Sequence, residues 1–341
     1  MKNFWANEAF IIAEAGVNHN GNRQYAFELI DAAVDSGVNA VKFQSFFTDQ
    51  VILKSAPLAE YQKNNMNGKE GLTQYDMVKP LELSPAFQKE LKQYAESKGI
   101  MWFSTAFDLA SVDVLSDLDI GVWKIPSGEI TNYPYLKKIA NLKKPVIIST
   151  GMCNLADIEA GLQIFLDAGH QRQDLCILHC NTEYPTPWQD VNLQAMPTIG
   201  KVFGTYYGYS DHTNGIEIPV AAIALGAKVI EKHFTLDKNL PGPDHKASLE
   251  PAELKAMVES IRHVEQALGS SVKQPSPSEI KNKQIARKSL IAATDIAQGE
   301  LFSDTNLTTM RPGTGISPMH WNDFMGQPAK KAYVKGDLIE W

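Results

Sequence analysis

The sequence predicts a (β/α)8 TIM barrel followed by a small β-rich domain. Three observations lead to this prediction: eight short apolar runs alternate with longer amphipathic segments, polar residues collect where the apolar runs end, and the composition changes after a Ser/Pro-rich stretch near residue 270. Near-continuous apolar runs are typical of buried parallel strands. Eight such runs with helices between them match the size and rhythm of a closed barrel.

The eight apolar runs are the predicted strands. In chain order they are residues 9–16, 40–46, 100–107, 121–127, 145–151, 175–181, 202–210 and 227–234. Amphipathic patterns predict helices over residues 22–36, 85–98, 154–168 and 251–268, and the first two end at Gly37 and Gly99. A doubly wound open sheet is the alternative, and it is less favoured because no Gly-x-Gly-x-x-Gly turn follows the first strand.

Two stretches interrupt this alternation. Residues 47–80 form a long insert after the second strand, with the polar residues Tyr61, Gln62 and Asn64. Long loops in compact domains are usually functional or disordered. We therefore predict a barrel over residues 1–268, a Ser/Pro-rich linker over residues 269–284, and a small domain over residues 285–341. A domain of this size is marginally stable alone, so we expect it to dock on another surface.

The bulk composition excludes several classes of function. The 341 residues are 44% hydrophobic and 21% charged, with a net charge of −7 and no basic block. Nucleic-acid and anionic-membrane partners are therefore not expected. No signal-peptide apolar segment and no 18-residue apolar run occurs, which makes the cytoplasm the default location. Three cysteines without paired spacing favour a reducing compartment over a disulfide framework.

Histidines end the last two predicted strands. Strand alternation places His212 on the same face as Ser210, and His233 on the same face as Glu231. The two imidazoles can then converge inside the barrel mouth as part of a metal site with open positions for water and substrate. The alternative is that each is an ordinary, satisfied polar residue. Glu231 is either a third ligand or a supporting partner.

Two lysines interrupt apolar strands, which is costly unless an anion pairs with them. Lys42 and Lys124 lie near hydroxyl residues at other strand ends: Thr105, Ser127, Ser149 and Ser210. Together they predict a polar cup for a phosphate and a carboxylate. The alternatives are ion pairs with Glu14, Glu129 or Glu231, or a lysine that forms a Schiff base.

Nine motifs together resemble the sialic acid synthase family in order and spacing. They are "IIAEAGVNHNG", "VKFQ", "KIPSGEI", "IISTGM", "HCNTEYPTP", "GYSDHT", "VIEKHFTLD", "GPDH" and "RPGTGIS". The resemblance runs from residue 9 to about residue 335, and the chain from "ARKSL" onward resembles the antifreeze-like SAF domain. This family includes N-acetylneuraminate synthases and legionaminic acid synthases. The resemblance implies a transferase that condenses phosphoenolpyruvate with an open-chain N-acylated hexosamine and water, giving a nonulosonic acid and phosphate.

The resemblance also implies roles for individual residues. His212 and His233 would bind a divalent ion, typically Mn²⁺, and are counted with Glu14 and Glu129 as catalytic residues. The implied phosphoenolpyruvate-binding residues are Lys42, Thr105, Lys124, Ser127, Ser149 and Ser210. The implied sugar-binding residues are Gln44, Tyr184, Asp244 and Arg311. Two points stay open here. Either Glu14 or Glu129 accepts the proton, and either Asn64 or Asn65 is the family's asparagine in the insert, which should also contact the sugar.

Arg311 carries an implication about assembly. In the family the equivalent arginine reaches the sugar from the SAF domain of the neighbouring subunit, so the resemblance implies a domain-swapped homodimer. From the residues alone, Arg311 would be an ordinary surface arginine.

The resemblance leaves the sugar open. N-acetylmannosamine is the expected substrate, and the alternative is 2,4-diacetamido-2,4,6-trideoxymannose, which yields legionaminic acid, because "NTEY" at residues 181–184 also occurs in relatives that use such sugars. A metal-dependent aldolase is a more distant alternative that needs no phosphoenolpyruvate cup. A regulator that binds carbohydrate or lipid without catalysing a reaction is disfavoured, because the set of polar residues at the predicted strand ends is complete.

Overall fold

The structure is a computed structural model that describes Trp5, residues 8–58 and residues 73–341. The chain divides into two compact units, Met1–Gly269 and Ser270–Trp341. The first unit contains eight parallel strands surrounded by helices, and the second contains a two-stranded antiparallel sheet. The predicted fold class is therefore confirmed.

The barrel strands follow one another around the first unit. They are β1 Phe10–Gly16, β2 Ala40–Ser45, β3 Met101–Ala106, β4 Trp123–Ile125, β5 Val146–Ser149, β6 Leu175–Cys180, β7 Tyr206–Asp211 and β8 Val229–His233. Their order in the sheet is β3-β2-β1-β8-β7-β6-β5-β4, and β3 also contacts β4, which nearly closes the barrel. This arrangement brings the carboxyl ends of all eight strands to one rim.

Helices cover the outside of the barrel. They are Arg23–Asp35, Pro85–Ser97, Leu109–Asp117, Tyr133–Ala140, Leu155–Asp167, Ala195–Phe203, Glu217–Ala224 and Pro251–Leu268. The first starts at Asn22, whose side chain accepts hydrogen bonds from the N–H groups of Gln24 and Tyr25, and Gly37 follows its end with a φ of 75°. Such caps satisfy backbone groups that a helix end leaves open. No helix among the described residues is both long and apolar enough to cross a membrane.

One predicted strand boundary is wrong. The sequence pattern starts the seventh strand at residue 202, but Val202 and Phe203 belong to the helix Ala195–Phe203. Gly204, with a φ of 62°, ends that helix, and the strand begins only at Tyr206. A short apolar run does not by itself distinguish a helix end from a buried strand.

The strand register sets the level of the polar residues at the rim. On β1, Glu14 pairs with Lys42 of β2 on one side and with His233 of β8 on the other. Ser210 of β7 pairs with Glu231 of β8 in the same way. These residues are neighbours because the parallel strands align them, although they are far apart in the sequence.

The described ends of the insert carry secondary structure. They contain the short helices Thr48–Val51 and Gln74–Val78 and a 3₁₀ turn, Lys79–Leu81. Phe46 and Leu81 form a small buried cluster with Val17 of the first strand loop, separate from the barrel core. Residues 59–72, and with them Tyr61, Gln62, Asn64 and Asn65, lie outside the described residues.

The second unit has its own small core. The strands β9 Ser289–Ala292 and β10 Leu307–Met310 pair antiparallel, and a short helix, Trp321–Phe324, follows them. The core is made of Leu290, Ala292, Ile296, Phe302, Leu307, Phe324, Ala329, Tyr333 and Ile339. A helix, Pro277–Ala286, occupies part of the stretch for which we predict a linker, and it starts at a capping box between Ser276 and Glu279.

Candidate active site

A cavity of about 340 Å³ opens at the carboxyl ends of the barrel strands. Most of the residues predicted from the sequence line it: Glu14, Lys42, Gln44, Thr105, Lys124, Ser127, Ser149, Tyr184, Ser210, His212 and His233. The structure therefore brings together the predicted anion cup and the predicted histidine pair in one place.

Both buried lysines are paired with carboxylates. The Nζ atom of Lys42 lies 2.7 Å from Oε2 of Glu14 and 3.7 Å from Oε2 of Glu231. The Nζ atom of Lys124 lies 3.1 Å from Oε1 of Glu231. The ion-pair alternative is thus realised with Glu14 and Glu231. The anion cup remains chemically open because each ammonium group has three N–H donors.

The two carboxylates of this cavity have opposite protonation preferences. Burial raises the pKa of Glu14 to about 7, although the Lys42 ammonium opposes this shift. Burial also tends to raise the pKa of Glu231. The positive charges of Lys124 and Lys42 outweigh the effect of burial, and they lower the pKa of Glu231 to about 2. Carboxyl groups whose pKa values are pushed apart can take different roles. Glu14 can exchange a proton near neutral pH, whereas Glu231 stays an anionic counter-ion.

Burial also lowers the pKa of Lys124, despite the neighbouring charge of Glu231. An incoming anion would favour the charged ammonium form and reverse this shift.

The hydroxyl groups around the lysines differ in their hydrogen bonding. Ser210 Oγ donates to Glu231 Oε1 at 3.0 Å, and Ser127 Oγ accepts the N–H of Gly151 at 2.9 Å. Ser149 Oγ is buried and has no hydrogen-bond partner among the described residues. Because buried polar groups are nearly always paired, Ser149 is the hydroxyl most in need of a ligand oxygen.

Gly151 is required by the close packing of this wall. A Cβ atom at this position would lie 2.5 Å from Cγ2 of Thr182 and 2.9 Å from Oγ of Ser127. The "STGM" motif therefore needs glycine here so that its backbone N–H can approach Ser127.

The two histidines lie side by side, with ring centroids 5.4 Å apart. Nδ1–H of His212 donates to the carbonyl oxygen of Asn181 at 2.5 Å, which leaves Nε2 as the unprotonated nitrogen of the neutral ring. Tyr184 packs against His212 with ring centroids 4.1 Å apart. Burial lowers the pKa of His212 to about 4. Burial, reinforced by the nearby His212, lowers the pKa of His233 well below its usual value. Both imidazoles are therefore neutral at neutral pH.

The residues present fit a divalent cation. A neutral imidazole whose other nitrogen donates to a carbonyl is the usual arrangement of a metal-ligating histidine, and His212 has it. Nδ1 of His233 is buried without a hydrogen-bond partner among the described residues, and it lies 3.8 Å from Oδ2 of Asp244. Burial raises the pKa of the Asp244 carboxyl to about 6. Within residues 8–58 and 73–341 no group of three His, Cys, Asp or Glu side chains has metal-site geometry, so water or substrate would complete the coordination.

Three predicted site residues lie elsewhere. Glu129 accepts a hydrogen bond from Nδ2 of Asn132 at 2.5 Å and does not line the cavity. Asp244 lines a neighbouring cavity that shares His233 with the first. Arg311 is exposed in the second unit, where its Nε donates to the carbonyl oxygen of Ala286 at 3.1 Å.

Sequence reasoning left some lining residues unassigned. These are Phe107, Pro126, Gly128, Met152 and Cys180. The sequence predicted Glu231 beside His233 as a third ligand or a supporting partner, and the tertiary structure pairs it with both lysines. Cys180 is the last residue of β6, and this position at a strand end is a signal that could have indicated it.

Comparison with known proteins identifies related chains. The profile of the NeuB family matches residues 29–273, and that of the SAF domain matches residues 287–341. The N,N'-diacetyllegionaminic acid synthase of Campylobacter jejuni is 52% identical, covering 97% of this chain and 99% of the relative. The N,N'-diacetyllegionaminic acid synthase of Legionella pneumophila is 47% identical, covering 97% of this chain and 93% of the relative. A crystal structure of N-acetylneuraminic acid synthetase from Leptospira borgpetersenii in complex with citrate superimposes with a TM-score of 0.71 at 34% identity, covering 81% of this chain and 90% of that one.

Proposed function

The chain belongs to the NeuB family of phosphoenolpyruvate-dependent, carbon–carbon bond-forming synthases, and on this basis we propose that it makes a legionaminic-type acid. It condenses phosphoenolpyruvate, open-chain 2,4-diacetamido-2,4,6-trideoxymannose and water, and releases inorganic phosphate. The observation that carries the proposal is the single cavity in which two buried lysines and four hydroxyl residues lie beside two neutral imidazoles.

The choice of sugar changes with the comparisons. The sequence favoured N-acetylmannosamine, but the two legionaminic acid synthases share more of this sequence than the N-acetylneuraminic acid synthetase does. N-acetylmannosamine is therefore the second candidate substrate. The two sugars differ at C4 and C6 and share the same aldehyde carbon, so the same chemistry serves both.

Charge and hydrogen bonding support the placement of phosphoenolpyruvate. Lys124 and the unpaired hydroxyl of Ser149 face the phosphate, together with Ser127 and Ser210. Lys42, whose Nζ donates to Oγ1 of Thr105 at 2.9 Å, faces the carboxylate. With Glu231 ionised and Glu14 only partly ionised near neutral pH, the two lysines leave the cavity with excess positive charge. That excess favours an anionic substrate.

His212 and His233 would hold the divalent cation, for which Mn²⁺ is the expected ion. When bound, such a cation polarises the sugar aldehyde and makes its carbon electrophilic. The hydrogen bond from His212 to the Asn181 carbonyl keeps the metal-facing nitrogen unprotonated. Tyr184 fixes the ring plane of His212 by stacking on it.

In the reaction, the new carbon–carbon bond forms before the C2–O bond to phosphate breaks. C3 of phosphoenolpyruvate bonds to the aldehyde carbon of the sugar, the aldehyde oxygen gains a proton, and C2 becomes electron-poor. Water adds to C2 and loses one proton, which leaves a hydroxyl group on C2. The C2–O bond to phosphate then breaks, the hydroxyl proton passes to the departing phosphate, and C2 becomes a ketone. Glu14, buried in the cavity with a pKa near neutrality, is positioned to take the proton of the water. Glu129 lines no part of this cavity, and this supports Glu14 over Glu129.

The resemblance supports a domain-swapped homodimer as part of the proposal. Arg311 is exposed in the second unit, so its guanidinium is accessible to the sugar bound by a partner chain. Arg311→Ala is expected to raise KM for the sugar far more than KM for phosphoenolpyruvate, and sedimentation should give a dimer mass. Equal effects on both substrates, or a monomer, would count against the swapped arrangement.

A phosphate-release assay tests the function. Purified protein with Mn²⁺ and phosphoenolpyruvate should release phosphate only when a sugar is added, with a larger kcat/KM for 2,4-diacetamido-2,4,6-trideoxymannose than for N-acetylmannosamine. A chelator should abolish turnover, and His212→Ala should weaken Mn²⁺ binding, measured by electron paramagnetic resonance, by more than about 100-fold.

His170→Asn is the matched control for the metal role. It removes a buried histidine whose Nε2 bonds to the carbonyl oxygen of Ala140, away from the cavity. It should leave Mn²⁺ affinity unchanged. Turnover that survives complete chelation would dismiss the metal role, and phosphate release without sugar would dismiss the condensation.

A further inference from the structure

A second cavity of about 350 Å³ adjoins the first and shares Gln44, Phe107, Tyr184 and His233 with it. Its volume lies within the range of small-molecule sites. Because His233 belongs to both cavities, a sugar whose aldehyde lies at the histidine pair can extend its far carbons into the second cavity.

The second cavity is mainly apolar. Its outer wall, here called the apolar chamber, consists of Phe46, Val51, Ile52, Met77, Val78 and Leu81. Phe46 and Leu81 are buried in a small cluster on which Val78 and Phe107 pack, and the rings of Phe46 and Phe107 meet edge to face at 6.4 Å. The wall is therefore a packed surface with a shape of its own.

Polar groups are confined to particular positions around the chamber. Gln44 and Tyr184 lie at the junction of the two cavities. Oδ2 of Asp244 lies 3.8 Å from Nδ1 of His233. Gln74 is the remaining polar side chain among the described lining residues. None of the described lining residues is lysine or arginine. The nearby Lys79 is held by Asp49 at 2.8 Å and by Glu82 at 3.0 Å.

The polar residues at the junction and the apolar wall suit different ends of the sugar. Hydroxyl or amide groups near the aldehyde would meet Gln44, Tyr184 and Asp244. A hydroxyl or phosphate against the apolar wall would lose its water, and Gln74 is the one polar side chain that the described lining residues offer it there, so its burial is unfavourable. A methyl group there would gain from burial against the apolar wall.

We propose that the apolar chamber selects the distal end of the sugar, accepting a 6-deoxy methyl group and discriminating against a 6-hydroxyl or 6-phosphate group. This inference rests on the proposed function, and it assigns sugar selectivity to residues at the two described ends of the insert. It names Ile52 and Val78 as specificity-determining residues that touch neither phosphoenolpyruvate nor the metal ligands.

The test uses two sugars that differ at one atom. They are 2,4-diacetamido-2,4,6-trideoxymannose and its 6-hydroxy analogue, 2,4-diacetamido-2,4-dideoxymannose. The unaltered enzyme should prefer the 6-deoxy sugar by about 10-fold to 100-fold in kcat/KM, the discrimination that an apolar pocket achieves against an added hydroxyl. KM for phosphoenolpyruvate should be the same with both sugars.

Substitutions that place a hydroxyl group in the chamber locate the discrimination. Val78→Thr adds a hydroxyl to the chamber without changing its shape and should reduce the preference by about 5-fold, the worth of one neutral hydrogen bond. Ile52→Thr is the second variant, in case the first fails to fold. Val220→Thr is the control, because Val220 is also helical and partly buried but packs on the barrel core. It should leave the preference unchanged.

The outcomes separate this inference from the proposed function. Equal kcat/KM for both diacetamido sugars would overturn the chamber's role and leave the function standing. So would a preference that persists unchanged in folded Val78→Thr and Ile52→Thr. Turnover of N-acetylmannosamine with neither diacetamido sugar accepted would instead overturn the proposed substrate.

Discussion

Asp211 and Lys232 form an ion pair in which neither side chain is exposed to solvent. Nζ of Lys232 lies 2.5 Å from Oδ2 of Asp211, and the two residues are direct partners on the neighbouring strands β7 and β8. Thr213 completes the arrangement, since its N–H and hydroxyl donate to Asp211 and its carbonyl accepts from Lys232. Each member of the pair immediately precedes a histidine of the candidate metal site. The pair therefore holds together the two strand ends that carry His212 and His233.

Removing one charge of this pair should be strongly destabilising. Asp211→Asn leaves the Lys232 ammonium buried without its counter-ion, and we expect the free energy of unfolding to fall by about 3–5 kcal/mol. Urea denaturation followed by circular dichroism measures this change. Mn²⁺ affinity should fall as well, because the histidine spacing depends on the pair.

The double variant Asp211→Leu/Lys232→Met provides the control. It removes both charges, and well-packed apolar replacements of a buried ion pair are often close to neutral. It should recover most of the lost stability, apart from the Thr213 hydrogen bonds. An Asp211→Asn protein with the unfolding midpoint of the unaltered protein would contradict this account.

Ser149 should matter for binding but not for folding. Its buried hydroxyl has no partner among the described residues, so Ser149→Ala should leave thermal stability equal or slightly higher. Loss of a hydrogen bond to a charged phosphate costs about 1.5–3 kcal/mol, which predicts a rise of about 10-fold to 100-fold in KM for phosphoenolpyruvate. Steady-state kinetics and calorimetry check the two parts.

Ser45→Ala is the matched control for Ser149. Ser45 Oγ donates to Gln88 Oε1 at 2.7 Å and does not line the cavity. This variant should lose stability and keep its KM for phosphoenolpyruvate. The prediction for Ser149 fails if the two variants show the same pattern.

The two glutamates proposed from the sequence should behave differently. Glu14→Gln removes the buried carboxyl group that we propose for proton transfer, and kcat should fall by about 10²-fold to 10⁴-fold. Glu129→Gln changes a residue that lies outside the cavity lining and pairs with Asn132, so kcat should change little. Single-turnover kinetics distinguish a loss in the chemical step from slow product release. A larger loss in Glu129→Gln than in Glu14→Gln would reverse the assignment.

His19 should make the protein sensitive to acid. Burial lowers the pKa of His19 from 6.5 to about 4, and its Nδ1 accepts the N–H of Gly21 at 3.0 Å. The unfolded chain takes up this proton near pH 6.5, whereas the folded chain resists until about pH 4. The contribution of His19 is therefore complete above pH 6.5 and is lost as the pH falls to 4, by about 3 kcal/mol.

A difference measurement isolates this effect. Glu14, whose pKa is raised to about 7, acts in the opposite direction, because its contribution is complete below pH 4.5 and is lost as the pH rises to 7. The free energy of unfolding of the unaltered protein and of His19→Gln should therefore be compared at pH 7 and pH 4. The unaltered protein should lose about 3 kcal/mol more than the variant over this interval. Parallel losses in both proteins would refute the role of His19.

Much of the barrel and of the first cavity could be predicted from the sequence. Apolar runs and strand alternation located all eight strands and predicted that His212 and His233 face inward. The error at Val202 and Phe203 arose because an apolar helix end and an apolar strand start look alike along the chain. Such local patterns report which face a side chain takes, since that depends only on its neighbours in sequence.

Other features were decided by the tertiary structure alone. The pairing of Lys42 with Glu14 depends on the register between β1 and β2, and the pairing of Lys124 with Glu231 joins β4 to β8, which are not neighbours in the sheet. The position of Glu129 outside the cavity depends on the 3₁₀ turn Ser127–Glu129 that follows β4. The apolar chamber arises because two separate parts of the insert return to the same wall. Local periodicity determines the direction of a side chain, but which partner it meets depends on how the closing barrel staggers its strands. That stagger is set by the packing of the whole core.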